Sequence, residues 1–152
     1  MKVEKYQTDT YSITEVNGLD EVIVYVTNYG KAAGRIVIEC FCRSWVTYWG
    51  SMGTDSLQEF FLSCNDQYIV DRLVPKHYET DFAAINSRLP EFTSINSEEE
   101  IGANYDLLAA AFGEDWYTHG LPCKLTEEYL LVKRIVQTIR EAFKSERENL
   151  DE

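Results

Sequence analysis

Alternating and β-branched residues dominate the first third of the chain, and this pattern predicts a β-sheet. Residues 11–16 alternate weakly before a turn at 17–18, and residues 21–28 form a β-branched run of strand length. A glycine-containing loop leads into a second extended run, 35–49, which is long for one regular strand. We therefore expect a bulge or bend near 43–44. The short loop between the two runs predicts an antiparallel pair.

A period of three to four residues then replaces the alternation and predicts helices. The apolar positions between Leu57 and Cys64 fall on one helical face, and Ser56 with Glu59 has the spacing of a capping box. Two further short helices are predicted over 65–73 and 80–89, each followed by a proline.

The last third predicts two stronger helices. Ser97 and Glu100 form a capping box for a helix that Gly113 ends, and Thr126 caps a long C-terminal helix. The core face of that long helix is predicted to contain Tyr129, Val132, Ile135, Val136, Ile139 and Phe143. Its opposite, solvated face is predicted to carry Lys133, Arg134, Gln137, Arg140, Glu141 and Lys144.

The order of these elements, strands first and helices afterwards, predicts the α+β class. We expect an N-terminal antiparallel sheet of about three strands packed by several C-terminal helices. The chain has 152 residues and no evident linker, so the prediction is a single domain over 1–145 followed by a frayed acidic tail, 146–152.

The charge of the chain bears on its possible function. The chain carries 26 acidic and 14 basic side chains, a net charge of -12, and residues 61–120 alone contribute eleven acids against three bases. Such an excess disfavours direct binding of nucleic acid or anionic membrane. Ordinary solubility charge is the preferred explanation of the excess, and an acidic surface for a basic protein partner is the functional alternative. The candidate surface residues are Asp66, Asp71, Glu79, Asp81, Glu91, Glu98, Glu99, Asp106, Glu114 and Asp115.

The N-terminal residues lack the apolar core of a signal peptide, and no apolar run approaches the roughly 20 residues of a membrane span. We therefore expect the protein in the cytoplasm, with its four cysteines reduced.

Catalytic and metal-binding patterns are sparse, so we expect no enzyme activity, cofactor or metal. Cys40 and Cys42 would point to opposite faces of a strand, and His119 with Cys123 makes only half of a zinc site. A thiol nucleophile would need Cys64 to meet His77 or His119 in space, which remains open. The glycine-containing turn 50–54 lacks the lysine of a phosphate-binding loop.

Trp45, Tyr48 and Trp49 are candidate aromatic anchors for a partner. The alternative is that these rings pack beneath the helices as part of the core. Base stacking is disfavoured because few cations lie nearby.

The block from Gly34 to Gly53, followed by Glu59 to Tyr68, resembles small proteins of temperate tailed phages and prophages. The resemblance covers roughly residues 20–75 and brings no catalytic residue with it. It implies a non-structural phage protein made in the host cell. Small acidic proteins in that setting often inhibit host nucleases, restriction or CRISPR systems, some by imitating the charge of DNA.

Three functional hypotheses follow. The first is a phage accessory protein that inhibits a basic, nucleic-acid-handling host defence protein through an acidic, DNA-like surface. The second is an accessory factor of phage DNA replication or recombination that works by protein contacts. The third is a small enzyme that uses Cys64, His77 or His119. In addition, a strand at the sheet edge could pair with a second copy of the chain.

Overall fold

The structure is a computed structural model that describes residues 1–150. In chain order its elements are β1 (Asp9–Ile13), β2 (Val22–Gly30), β3 (Ala33–Cys40), β4 (Arg43–Trp49), α1 (Leu57–Ser63), α2 (Asp66–Leu73), β5 (Tyr78–Thr80), α3 (Phe82–Asn86), α4 (Glu98–Ala103), α5 (Tyr105–Phe112), α6 (Trp116–His119), β6 (Cys123–Leu125) and α7 (Glu127–Leu150). The predicted α+β class is confirmed.

Two compact units account for these elements. Unit 1 contains residues 1–75 and the C-terminal residues from 127, and unit 2 contains residues 76–126. The predicted single domain over 1–145 stays a prediction. The predicted frayed tail, 146–152, does so too: α7 continues to Leu150, and residues 151–152 lie outside the described part of the chain.

The sheet of unit 1 has four antiparallel strands in the order β1-β2-β3-β4, rather than about three. Buried and half-buried residues alternate along β2, so its side chains lie on two different faces of the sheet. Val22, Val24 and Val26 are buried, whereas the residues between them are half-buried. The predicted antiparallel pairing of the two extended runs is confirmed as β2 with β3.

The extra strand comes from the long run 35–49, where the prediction of a bulge or bend near 43–44 was wrong. A two-residue hairpin at Phe41 and Cys42 divides the run into β3 and β4. Both residues have positive φ, 51° and 58°, as the tight turns between twisted strands require. Asn and Gly usually occupy such turns, so the sequence carried no signal for this one.

The helices α1, α2 and α7 pack with the sheet to form the core of unit 1. Phe61 of α1 is fully buried, and its ring centroid lies 5.5 Å from the ring centroid of Phe143 in α7. Gly34 lets β3 approach α1 closely, because a Cβ at this position would lie 3.1 Å from Leu57. The predicted core face of α7 is confirmed, since all six of its residues are buried.

Arg140 departs from the predicted solvated face of α7. Its guanidinium donates hydrogen bonds to the backbone carbonyls of Phe61, Leu62 and Cys64 at the end of α1. Its Nε lies 3.2 Å from Asp66, and only 18% of its side chain is exposed. This arginine therefore satisfies carbonyls that have no partner within α1 and places a cation at the negative end of that helix.

Unit 2 is built from short elements around a small core in which Ile85, Ile95 and Leu108 are fully buried. The helix predicted to begin at Ser97 is two helices, α4 and α5, that meet at Asn104, where φ is -120°. The Asn104 side chain donates to the carbonyl of Glu100, a local bond that competes with helix continuation.

The helix predicted over 80–89 is also shorter than expected, because the chain first forms β5. This strand pairs with β6 in a two-stranded antiparallel sheet. Both strands have three residues, too few for alternation to reveal them in the sequence.

Candidate protein-binding surface

The two units differ in charge density. Unit 2 holds nine carboxylates against three Lys and Arg, a net charge of -6 in 51 residues. The other 101 residues hold 17 carboxylates against 11 Lys and Arg and also sum to -6. The charge excess per residue is therefore about twice as high in unit 2.

Two of the ten predicted surface carboxylates, Asp66 and Asp71, lie in unit 1 and are used within the fold. Asp66 pairs with Arg140 and accepts a hydrogen bond from Gln137, and Asp71 accepts one of 2.8 Å from the Tyr129 hydroxyl. Both are half-buried. These contacts leave them poorly placed to meet a partner.

The other eight predicted carboxylates lie in unit 2, and four of them have partners there. Asp81 caps α3 by accepting from the amide of Ala84, and Glu98 accepts from the hydroxyl of Thr80. Across the β5–β6 pair, Glu79 lies 3.8 Å from Lys124. Asp115 lies 3.4 Å from the ring nitrogen of His119, both exposed.

Glu91, Glu99, Asp106 and Glu114 form the remaining group, which we call the free carboxylates. All four are exposed. Within residues 1–150 their side chains have neither an ion pair nor a hydrogen bond. Since they are hydrated and uncompensated, they can meet an external cation without giving up an internal contact.

The predicted aromatic anchors separate into core and surface. Trp45 and Trp49 are each 5% exposed, and their indole nitrogens donate to Glu128 and to the Tyr68 hydroxyl. Their burial removes both as anchors. Tyr48 lies on the other face of β4 and is 46% exposed.

Tyr105, Trp116 and Tyr117 form an aromatic group that sequence reasoning missed, and we call it the tyrosine cluster. Ring centroids lie 5.5 Å apart for Tyr105 and Trp116, 6.1 Å for Tyr105 and Tyr117, and 6.3 Å for Trp116 and Tyr117. Tyr117 is 66% exposed and Tyr105 45% exposed, whereas Trp116 packs against the core of unit 2. The acidic Glu114-Asp115 pair directly before Trp116 was the available signal, but α6 was not predicted.

Carboxylates act electrostatically on this cluster. Desolvation is the main cause that raises the pKa of Tyr105, and Tyr117, Glu114, Asp106 and Asp115 raise it further. The Tyr105 hydroxyl donates to the backbone carbonyl of Glu114, which ties α5 to the segment that carries two of these acids. The cluster therefore sits in a negative field.

The β4 edge of unit 1 bears on the predicted pairing of two copies. The Tyr48 carbonyl points away from β3, because it accepts a hydrogen bond from Arg72. Backbone groups of Ser44 and Val46 point the same way, since they alternate with Tyr48 along the strand. Val46 is 53% exposed, so an unpaired edge is present, although Arg72 covers part of it. Self-association stays a prediction.

The cysteines and histidines were the candidate metal ligands and nucleophiles. No group of three or more His, Cys, Asp and Glu side chains is placed to hold a metal ion within residues 1–150. Burial raises the pKa of the Cys64 thiol, whereas an activated thiol needs a lowered pKa. Cys42 and Cys123 are exposed free thiols, and Cys40 is buried.

An open groove of about 670 Å³ runs beside β1, α1 and the end of α7. Several of its polar groups bind one another: Gln58 donates to Asp9 and to the Tyr11 hydroxyl, and Tyr11 donates to Glu146. A ligand that used these groups would have to displace these bonds.

Across residues 1–150, we find no helix with the combination of length and hydrophobicity needed to cross a bilayer. The long helix α7 carries a charged face along its whole length.

Comparison with protein families gives a match. A family model described as a phage family matches residues 1–145, which confirms the resemblance drawn from the sequence and extends it over most of the chain. Neither the curated proteins nor the solved structures contain a match to this chain.

Proposed function

The chain belongs to this phage family, Phage_phiTE_072, and from that premise we propose that it is a phage accessory protein that binds and inhibits a basic, nucleic-acid-handling protein of host defence. It acts by protein contacts and without catalysis. The contact surface lies on unit 2.

The free carboxylates of unit 2 are the observation that carries this proposal. An exposed carboxylate with no internal partner costs the fold little and repels nucleic acid. Toward a surface that binds the phosphate backbone, the same group supplies the complementary charge and accelerates encounter. Inhibition would follow because the partner cannot hold nucleic acid and these carboxylates on the same cations.

The thiol environment supports the choice of binding over catalysis. Burial disfavours the Cys64 thiolate, which is the form that would attack a substrate. A role as a thiol enzyme would therefore have to overcome the desolvation of this thiol.

A pair of charge-matched variants tests the proposal. The first carries Glu91→Lys, Asp106→Lys and Glu114→Lys in unit 2. The control carries Asp20→Lys, Glu141→Lys and Glu148→Lys in unit 1, where all three acids are exposed and have no ion pair within residues 1–150. Both variants change the net charge by the same amount, so they separate the location of charge from its total.

The measurement is affinity capture from phage-infected cells at about 50 mM and about 500 mM salt, followed by a nuclease or DNA-binding assay of the captured protein. We expect a basic host protein that is retained at low salt, released at high salt and inhibited when bound. Its affinity should fall at least about tenfold for the unit 2 variant and stay near wild type for the control. Equal capture by both variants would contradict the proposal.

The same capture distinguishes the second hypothesis. Recovery of phage replication or recombination proteins, without any host defence factor, would support an accessory role in phage DNA metabolism instead.

A further inference from the structure

We propose that the tyrosine cluster is the contact site for an arginine side chain of the partner. The guanidinium would lie against the exposed ring faces of Tyr105 and Tyr117. Asp106, Glu114 and Asp115, here called the flanking carboxylates, would neutralise its charge. This inference deepens the proposed function, on which it rests, by naming the chemistry that the surface recognises.

The three rings of the tyrosine cluster differ in burial, so one ring supports the cluster and two are open to a partner. Trp116 is half-buried and packs against the core of unit 2, so it holds the group in place. Tyr117 and Tyr105 lie outside it and expose about two-thirds and about half of their surface. Their planes are inclined by 35° and their centroids are 6.1 Å apart, so the two rings are not stacked face to face and leave ring surface open.

The charge around the cluster selects a cationic occupant. The face of an aromatic ring is its negative side and attracts ammonium and guanidinium groups. The flanking carboxylates, which raise the pKa of Tyr105, add to that potential. A nucleobase would bring its phosphate into the same negative field, and a purely apolar side chain would leave the carboxylates without a counter-charge.

Two other aromatic rings of the chain have an arginine guanidinium over the ring. Arg88 lies 4.5 Å from the ring centroid of Phe112, and Arg35 lies 5.9 Å from that of Tyr48. No Lys or Arg among residues 1–150 is placed over Tyr105 or Tyr117 in this way. The tyrosine cluster therefore has carboxylates and open rings but no lysine or arginine among residues 1–150 placed over its tyrosines, and of the flanking carboxylates Asp115 lies 3.4 Å from the His119 ring nitrogen.

Arginine fits this arrangement better than lysine. Its planar guanidinium can stack on a tyrosine ring and still direct several N–H donors sideways to carboxylates. A lysine ammonium is compact and strongly hydrated, and it cannot make both contacts in the same geometry.

The test uses synthetic peptides of alternating glycine and arginine, with matched lysine and citrulline peptides, titrated into the full chain and followed by NMR. We expect the arginine peptide to move the ring signals of Tyr105 and Tyr117. The lysine peptide should bind more weakly, and the uncharged citrulline peptide should not bind. The indole N–H of Trp116, which is buried without a hydrogen-bond partner within residues 1–150, reports whether the cluster itself is disturbed.

Variants of one exposed ring give the quantitative result. Tyr117→Ala should weaken binding of the arginine peptide about two- to fivefold, the range of an exposed cation–π contact. Tyr117→Phe should retain the wild-type affinity because the ring face remains. Tyr78→Ala is the matched control, since Tyr78 is also an exposed tyrosine of unit 2, 56% exposed.

Three results would overturn the inference: equal affinity of wild type and Tyr117→Ala, no preference for arginine over lysine, or ring signals that do not move. If the unit 2 charge variant still loses its partner, any of these would leave the proposed function standing. Conversely, the unit 2 charge variant could capture the partner as well as wild type while Tyr117→Ala still weakens binding of the arginine peptide. In that case the proposed function fails and the arginine site remains.

Discussion

Units 1 and 2 use the same residue types in opposite ways. In unit 1, several aromatic rings and charges take part in the fold: Trp49 is buried and donates to Tyr68, and Arg140 joins Asp66 to the end of α1. In unit 2, the core contains three fully buried residues, while tyrosines and carboxylates reach the surface. Residue types that stabilise unit 1 at these positions are therefore exposed at others in unit 2.

This contrast has a physical origin in size. A unit with long strands and a 24-residue helix buries enough apolar surface to orient polar side chains between its elements. Unit 2, with 51 residues in short elements, has little interior in which to enclose its nine carboxylates. Seven of the nine are exposed, and at the surface their repulsion is tolerated and a basic partner would relieve it.

The largest predicted effect tests whether the charges of unit 1 are structural. Arg140→Ala removes a partly buried cation that serves three carbonyls and Asp66, so it should lower the free energy of unfolding by about 2–4 kcal/mol in urea denaturation. Arg147→Ala, an exposed arginine on the same helix, should change it by about 0.5 kcal/mol or less. Equally small changes in the free energy of unfolding for both variants would show that Arg140 does not stabilise unit 1.

The second prediction addresses unit 2. The variant with Glu91→Lys, Asp106→Lys and Glu114→Lys should change the free energy of unfolding by about 1 kcal/mol or less, because these side chains have no internal partner within residues 1–150. Only Asp106, in the first turn of α5, should contribute through the helix dipole. A loss comparable to that of Arg140→Ala would show that these carboxylates support the fold.

The third prediction concerns the hairpin at Phe41 and Cys42 between β3 and β4, which was not predicted from the sequence. Cys42→Gly should raise the free energy of unfolding by about 0.5–1 kcal/mol, because glycine adopts φ of 58° without strain and the exposed thiol loses no packing. Cys42→Ala controls for removal of the thiol and should give no comparable gain. A stability gain with alanine equal to that with glycine would argue against backbone strain.

The smallest effect appears only at alkaline pH and concerns the groove of unit 1. Burial raises the pKa of Tyr11 to about 12, and its hydrogen bond to Glu146 adds to the shift. The folded state thus holds this proton more tightly than the unfolded state, whose tyrosine pKa is about 10. The resulting stability is fully present below pH 10 and is lost as the pH rises toward 12.

The measurement is urea unfolding of wild type and Tyr11→Phe between about pH 8 and pH 12. The stability difference between the two proteins should be constant below pH 10 and should shift against wild type above it. A difference that does not vary with pH would show that Tyr11 titrates normally.

Local signals in the sequence predicted more of unit 1 than of unit 2. Ser56 caps α1 through the amide of Glu59, as the capping box indicated, and the apolar face of α7 is the one that its periodicity predicted. In unit 2 the capping box at Ser97 marked a helix start correctly, but the break at Asn104 did not show in the periodicity. Short elements such as β5 and α6 are too brief for periodicity to reveal.

The candidate surface was predictable only as a composition. The eleven acids of residues 61–120 are visible in the chain, but Asp66 and Asp71 among them are bound to residues more than 50 positions away. Likewise, nothing local distinguishes Trp49, which is buried, from Tyr117, which is exposed. Sequence position does not report such distant pairings.

By itself, the sequence determined the α+β class, the capped helix starts and the buried face of α7. These depend on periodicity and on hydrogen bonds that span a few residues. Only the tertiary structure decided which carboxylates remain free and which aromatic rings reach the surface. Both follow from contacts between residues far apart in the chain, because burial and charge pairing are set by packing and not by neighbours in sequence.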